Sequence, residues 1–334
     1  MRHLFILMCL CAVSLLPNRG IAQAFPVEIE HIFGVTRIET EPTRVVSLSF
    51  IGHDFLLSLG VVPYALRKWY GAFPYGVWPW AQEALGDGTP IVMQGEIDIE
   101  AIAAMDPDLI VGQWSGMSAR EYALLSEIAP TVATAPGSGD YGMTWQQMLL
   151  RLGQATGRSE RAEEIVAGLE QRFAELRQNH PSWQGATGLM VWAGTIGAYT
   201  QHDIRGKFLA ELGFVPTEPV LAYRGLNQSY YIVPEEDLAP IDADVLLWLD
   251  GGGSVARLNR LPLRRFMRAY LEGREIYSGL MLTSALSHSS PLSIEYALDT
   301  LVPLLEQAMD GDPATEVTSS REAGLLARGV TDGH

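Results

Sequence analysis

Short apolar runs alternate with helix-periodic stretches along most of this chain. Arg44-Val45-Val46-Ser47-Leu48-Ser49-Phe50, Val61 to Leu66, Leu109 to Val111, Thr131 to Thr134, Gly188 to Trp192, Val245 to Trp248 and Glu275 to Tyr277 read as strands. Most are continuously apolar and do not alternate, so they predict strands covered on both faces, as in a parallel sheet between helices. Between them lie helical patterns. One runs through Phe55 and Leu57 to Gly60, one is capped by Ser118 with Glu121 three residues on, and others cover Trp145 to Leu152, Gly206 to Leu212 and Leu263 to Leu271. A last amphipathic helix passes through Ile294, Leu298, Leu301 and Leu305. The longest periodic stretch is 159–178, with Ala162, Ile165, Val166, Leu169, Phe173 and Leu176 on one face.

One pattern occurs twice. Shifted by 136 positions, Glu100 falls on Glu236, Ile102 on Leu238, Ala103 on Ala239, Asp106 on Asp242 and Asp108 on Asp244. Leu109-Ile110-Val111 then falls on Val245-Leu246-Leu247. Each copy reads as a short amphipathic helix, a tight turn at Asp-Pro-Asp or Asp-Ala-Asp, and a buried strand. The expected fold is α/β: two similar lobes with parallel-rich sheets, joined by a single long rigid helix, with a ligand cleft between the lobes. The expected organisation is an N-terminal lobe over 25–156, the connecting helix over 157–180, a C-terminal lobe over 181–310 and a flexible tail over 311–334. A helical connector without a Gly- or Pro-rich linker predicts small relative motion of the lobes.

Residues 1–24 carry the pattern of a secretory signal peptide. Arg2 precedes an apolar stretch from Leu4 to Leu16, Pro17 to Gly20 break it, and Ala22-Gln23-Ala24 supplies a small-x-small cleavage site. Cys9 and Cys11, the two cysteines, lie inside it. Met8 and Leu10 precede them, where lipidation favours a small residue. Cleavage after Ala24 would leave a mature chain without nucleophilic thiols or thiolate metal ligands, resting on its core alone. Loss of Arg2 and Arg19 takes the formal charge from −16 to −18. That balance argues against nucleic acid and anionic lipid as partners.

No phosphate-binding glycine loop and no Gly-x-Ser-x-Gly elbow is present; Gly251-Gly252-Gly253-Ser254 lacks the P-loop spacing and lysine. His31, His53, His180, His202, His288 and His334 nowhere stand three or four apart, so no helical metal clamp is expected. No catalytic pair can be singled out, and spacing leaves a scattered three-histidine site as the one open metal alternative. The positive signal is aromatic. In open α/β sheets ligands bind beyond the carboxyl ends of the strands. Trp69 and Tyr70 follow one strand in a loop that continues to Trp78 and Trp80, Trp114 follows another, and Tyr199 and Arg205 lie between a strand and the next helix. Tyr223, Arg224, Tyr230 and Tyr231 crowd a further loop. Such rings offer flat apolar area with a polar tip, and arginine a fixed fork of donors. Trp192 and Trp248 lie within strands and read as core.

With these residues in view, the chain resembles the periplasmic binding proteins of ABC importers for ferric siderophores, haem and cobalamin. The marks are Arg44-Val45-Val46-Ser47-Leu48, Ile99-Glu100-x-Ile102 with Pro107-Asp108-Leu109-Ile110, the helix 159–178, Phe208-Leu209-x-x-Leu212-Gly213-Phe214 and Ser290-Pro291-Leu292-Ser293. They run in order from about Ile32 to Leu305. The loop from Tyr70 to Trp80 is most similar to members that handle iron–siderophore complexes. The resemblance implies a periplasmic, monomeric, non-enzymatic carrier of a chelated ferric complex, with no resident cofactor. It implies ligand contacts from Trp69, Tyr70, Trp78, Trp114, Tyr199, Arg205, Tyr223, Arg224 and Tyr230. Glu100 and Glu236 match the family's lobe-top glutamates that dock to arginines of the permease. Haem or cobalamin is the alternative cargo, with Tyr70, Tyr223 or His288 as an axial ligand for haem. An exported α/β hydrolase is the third reading and would need a clustered base and nucleophile.

Overall fold

A computed structural model describes residues 24–139, 141–225 and 228–325. The expected leader, apart from Ala24, and the last nine residues of the tail lie outside the described residues. Twelve strands are described: β1 (Val27–His31), β2 (Gly34–Ile38), β3 (Val45–Ser47), β4 (Ala65–Arg67), β5 (Ile91–Met93), β6 (Leu109–Val111), β7 (Thr131–Val132), β8 (Gly188–Trp192), β9 (Gly197–Tyr199), β10 (Tyr230–Ile232), β11 (Val245–Leu249) and β12 (Glu275–Tyr277). They form two five-stranded sheets and one hairpin, β1–β2. The first sheet, ordered β5-β4-β3-β6-β7, is parallel throughout. The second, ordered β10-β9-β8-β11-β12, is parallel over β8, β11 and β12. Its edge turns antiparallel, as β9 pairs with β8 and β10 with β9. Residues 45–47, 109–111 and 245–249 are buried along their whole length, as strands covered on both faces must be.

The repeated aspartates do the same work in both sheets. Asp108 accepts hydrogen bonds from the backbone N–H and hydroxyl of Thr43 at 2.7 and 2.8 Å, and from the Arg44 N–H at 2.7 Å. Asp244 accepts from the N–H and hydroxyl of Thr187, both at 2.8 Å. Each ties the entry of a central strand to that of its parallel neighbour. The segments before them differ. The first copy folds as helix Ile99–Ala104, capped by Asp98 accepting from the Ala101 N–H. The second was expected as a helix too, but is a single 3₁₀ turn, Ala239–Ile241. Proline stands at 234, where the first copy has its capping aspartate, and Pro240 has no N–H to extend a helical ladder.

The long helix spans Ser159–Asn179 and connects the two sheets. It is braced from the side. Arg172 pairs with Glu295 and, at 2.5 Å, with Asp299, and the ring of His180 meets Glu306 at 2.9 Å. These acids lie on the helix Pro291–Ala308, whose cap Ser290 donates to Asp54 of the first half at 3.0 Å. One buried apolar cluster contains Phe55, Leu149, Phe173, Phe208 and Leu298, so the two halves share a base below their cleft. A shared, close-packed base resists hinge opening.

Two further expectations are corrected, and one helix is added. The stretch 263–271 breaks at Met267, which is extended, into a 3₁₀ turn at Arg264–Phe266 and a short helix at Arg268–Leu271. The buried Arg264 is held there by Glu275 in a two-pronged pair, with both bonds at 2.8 Å. The tail does not dissolve at residue 311. Thr318–Glu322 is helical, Val317 and Leu325 are buried, and the Ser320 hydroxyl donates to the Glu275 carbonyl at 2.7 Å. The terminal segment thus completes the edge beside β12, which otherwise presents unpaired backbone. Helix Gly279–His288, which the sequence pattern did not single out, lies between β12 and the last helix. Among the described residues no helix is long and apolar enough to cross a membrane.

Candidate ligand-binding site

A cavity of about 740 Å³ opens between the two sheets. Its wall is assembled from strand ends. Phe50 follows β3, Trp69 and Tyr70 follow β4, and Trp114 follows β6; opposite them, Trp192 ends β8, Tyr199 ends β9 and Gly251 follows β11. On the parallel strands this is the crevice beyond the carboxyl edges where open α/β sheets hold ligands, while Tyr199 belongs to antiparallel β9 and stands inward of Gly197, the partner of Trp192. The volume suits one drug-sized molecule.

The first-half wall is a set of interlocked rings. The Trp69 centroid lies 4.7 Å from that of Tyr70, 5.4 Å from Trp114 and 6.0 Å from Phe50. Trp114 sits in the left-handed backbone region, at φ 57°. A bulky residue there is strained by roughly 1–3 kcal/mol, a cost usually met at functional sites. Its indole N–H reaches the Tyr141 carbonyl at 3.3 Å, and its ring meets the Tyr141 ring edge-on. Trp78 was expected in the wall and is instead buried behind it. It is 1% exposed, stacks on Trp80 at 5.0 Å and meets Tyr70 edge-on at 5.3 Å. The chain can pass so close only at Gly71, whose φ is 87° and where a Cβ would fall 2.9 Å from the Trp78 ring.

The second-half wall carries the charge. Asp203 caps helix Ile204–Glu211 and accepts from Arg205 Nε at 2.6 Å and Nη2 at 2.8 Å. The guanidinium carbon then lies 3.8 Å from the Tyr199 ring centroid. Burial works against the arginine's charge, but the Asp203 carboxylate outweighs it and raises the pKa above the ordinary arginine value. Burial pushes the Tyr199 hydroxyl up to about 12, while Arg205 draws it down. Burial likewise raises Tyr70 and Tyr230. All three phenols are therefore protonated donors at neutral pH. Two of the five guanidinium N–H groups are committed to Asp203, leaving three for a ligand. Tyr230 shares a hydrogen bond with Thr195 at 2.8 Å, and its ring lies over Gly197, where a Cβ would come within 2.0 Å of it.

The structure thus brings Trp69, Tyr70, Trp114, Tyr199, Arg205 and Tyr230 to one cavity. Tyr223 and Arg224 lie elsewhere. Side chains alternate across β10, so Tyr230 faces the cavity and Tyr231 the other side, where Tyr223 stacks on it at 4.5 Å. Arg224 is exposed and donates to the Leu221 and Tyr223 carbonyls, both at 2.9 Å. Sequence reasoning missed Phe50 and misread Trp192 as core. Both stand at the carboxyl end of a strand, the signal that singled out the others. Glu100 and Glu236 are exposed at the start of the two repeat copies and make no ion pair among the described residues.

Beneath the rings lies a buried polar cluster. His288, 1% exposed, is ringed by Trp69, Tyr70, Trp78 and Trp80 at 5.4–6.1 Å and donates from Nδ1 to the Ser284 carbonyl at 2.9 Å. His53 lies 6.3 Å away, and its Nε2 is 3.5 Å from Asp54. Asp54 accepts from the Trp80 indole N–H at 2.7 Å and from Ser290. Burial lowers both histidines, His53 to about 4, so both are neutral near pH 7. His288 does not line the cavity, and neither does Tyr223; of the three candidate axial ligands for haem only Tyr70 does. Among the described residues no three His, Cys, Asp or Glu side chains are grouped to hold a bare metal ion.

Two α/β lobes on a braced helix, with an aromatic cleft at their facing strand ends, define a two-lobed substrate-binding protein. Residues 45–275 match the family model described as Periplasmic binding protein, and the chain belongs to that family of substrate-binding proteins. It is 27% identical over 241 residues to the probable siderophore-binding lipoprotein YfiY of Bacillus subtilis, covering 69% of this chain and 71% of that one. A periplasmic solute binding protein from Mycobacterium smegmatis superposes with a TM-score of 0.76 and 34% identity, over 85% of this chain and 99% of the other. PiaA of Streptococcus pneumoniae in complex with ferrichrome superposes with a TM-score of 0.73 and 25% identity, again over 85% and 99%.

Proposed function

We propose that the mature chain is a monomeric periplasmic carrier that captures a ferric siderophore in this cleft and delivers it to an ABC importer. The observation that carries the reading is the cleft itself. A cavity of about 740 Å³ is walled by Phe50, Trp69, Tyr70, Trp114, Trp192, Tyr199 and Tyr230, with one arginine fixed among them. Such a wall recognises a bulky, oxygen-rich organic complex by ring contact and by donors to its oxygens. It offers no ligand set for a bare ion, which suits iron already enclosed by its chelator. The relatives named above, one siderophore-binding by name and one solved with ferrichrome, support the same reading.

The protein binds and does not turn over its cargo. Among the described residues the one carboxylate in the wall, Asp203, has both oxygens engaged by Arg205. The histidines nearest the cleft lie buried below it. Export follows from the leader, with cleavage after Ala24. Glu100 and Glu236, one on each lobe, serve as docking points for cationic side chains of the permease; exposed pairs are individually weak, so the surrounding surface contributes as well. Titration of tryptophan fluorescence with ferric siderophores, haem and cobalamin tests this. Saturable 1:1 quenching by a ferric siderophore, with weaker or no response to the others, is expected. Absence of binding by every ferric siderophore tried overturns it.

A further inference from the structure

The electrical balance of the cleft carries a conclusion about which ferric complex it takes. Among the described residues, the wall holds one cation, Arg205, and one anion, Asp203, joined through both guanidinium prongs at 2.6 and 2.8 Å. The formal charge of the wall is zero. The charged groups behind the wall do not line the cavity, and their hydrogen bonds run into the protein. Arg67 stacks on Phe50 at 4.2 Å and donates from Nε to the Gly95 carbonyl and from Nη1 to the Ser115 carbonyl, while Asp54 lies buried in the same half. On the other side Arg257 is paired with Glu235, and Lys207 donates to the Gly142 carbonyl at 2.6 Å. The remainder of the wall is rings and hydroxyls.

A triply anionic guest would meet no unpaired cation among the described residues of the wall itself. Its charges would lose water and meet aromatic faces whose quadrupoles are negative, and a single guanidinium already neutralised by its own carboxylate. A guest of zero or low net charge meets no such penalty. It gains ring contact over its organic shell and donors to its iron-bound oxygens from Arg205 and the phenols of Tyr70, Tyr199 and Tyr230. Resting on the reading of the cleft as a ferric-siderophore site, we propose that it selects ferric complexes of near-zero net charge, the trihydroxamate class, over the triply anionic tris-catecholate class.

The test is a titration of the full mature protein, followed by tryptophan fluorescence at one pH and ionic strength. The probes are ferrichrome as the neutral trihydroxamate and the ferric complex of a tris-catecholate as the trianion. The expected result is tighter binding of the neutral complex by about a hundredfold or more, the size of effect that uncompensated charge produces at an interface. Asp203→Asn is the second arm. Asparagine keeps a good helix cap but frees the charge of Arg205, so in the folded variant the preference should shrink by about tenfold, with a lower melting temperature because the arginine is left buried without its partner. Equal or tighter binding of the tris-catecholate overturns the charge inference and leaves the siderophore site standing. Binding of neither probe, nor of any other ferric siderophore, overturns both. An unchanged preference in folded Asp203→Asn overturns the role given to the Arg205–Asp203 balance. If that variant does not fold, the wild-type pair of titrations decides alone.

Discussion

The guanidinium of Arg205 is stacked on the ring of Tyr199, 3.8 Å from its centroid, and Asp203 holds it in that plane. Three residues from one strand end and one helix cap thereby present a planar, oriented set of donors to the cleft. Lysine reproduces the charge but neither the fork nor the stack. Arg205→Lys should weaken ligand binding by about 1–2 kcal/mol, roughly five- to thirtyfold, with the fold intact. Fluorescence titration beside a thermal melt checks both parts. Unchanged affinity would remove Arg205 from the site.

Gly197 tests whether Tyr230 belongs to the wall. A methyl group there would overlap the Tyr230 ring, and the ring would have to leave its place over β9. Gly197→Ala should therefore lower affinity by about tenfold, with an overpacking cost to stability of about 1–3 kcal/mol. Tyr230→Phe, which keeps the ring and loses the hydroxyl with its bond to Thr195 and its donor to the ligand, should weaken binding less. A smaller loss for the glycine variant than for Tyr230→Phe would contradict this placement.

The buried histidines make stability pH-dependent. Burial depresses His53 to about 4, with His288 adding to the shift and Asp54 opposing it. In the unfolded chain the same imidazole takes up a proton near its ordinary value of 6.5. Between those values the unfolded state binds more protons, so stability is full above about pH 6.5 and falls as pH drops toward 4. The loss from His53 alone is roughly 3 kcal/mol. Denaturant unfolding at several pH values should show this slope, and His53→Asn should flatten it. An equal slope in the variant would assign the effect to other groups.

The docking role proposed for Glu100 and Glu236 concerns delivery and not capture. Both are exposed, near the amino-terminal ends of the repeat copies, and neither lines the cavity. Glu100→Ala combined with Glu236→Ala should leave the dissociation constant within about twofold of wild type, since neither residue touches the cavity wall, and reduce ligand uptake by cells more than the single variants do. Reduced affinity with normal uptake would reverse the assignment.

Much of the architecture was legible because a strand covered on both faces must be continuously apolar, and a long helix must show its period. The parallel cores of both sheets, the helix from Ser159 and the duplicated Asp108 and Asp244 segments all follow from that. What escaped was decided by tertiary contact. Trp192 reads as core because it ends an apolar run, yet its last position on β8 leaves it facing the cleft. Tyr223 and Tyr230 are equivalent in composition, and only the alternation across β10 separates the ring in the wall from the ring behind it. Trp78 shares a loop with Trp69, but the turn at Gly71 folds it underneath. The segment 317–325 looks polar and loose, and its few apolar residues, Val317 and Leu325, are the ones that dock.

Native mass spectrometry of the mature protein, folded and then exposed to the ferric chelators of an iron-starved culture, tests the central claim most directly. The account predicts a 1:1 complex whose added mass is one iron-bearing organic molecule, confirmed by the shift on exchanging iron isotopes. The bare protein, or an adduct of haem, cobalamin or an iron-free compound in its place, would contradict it.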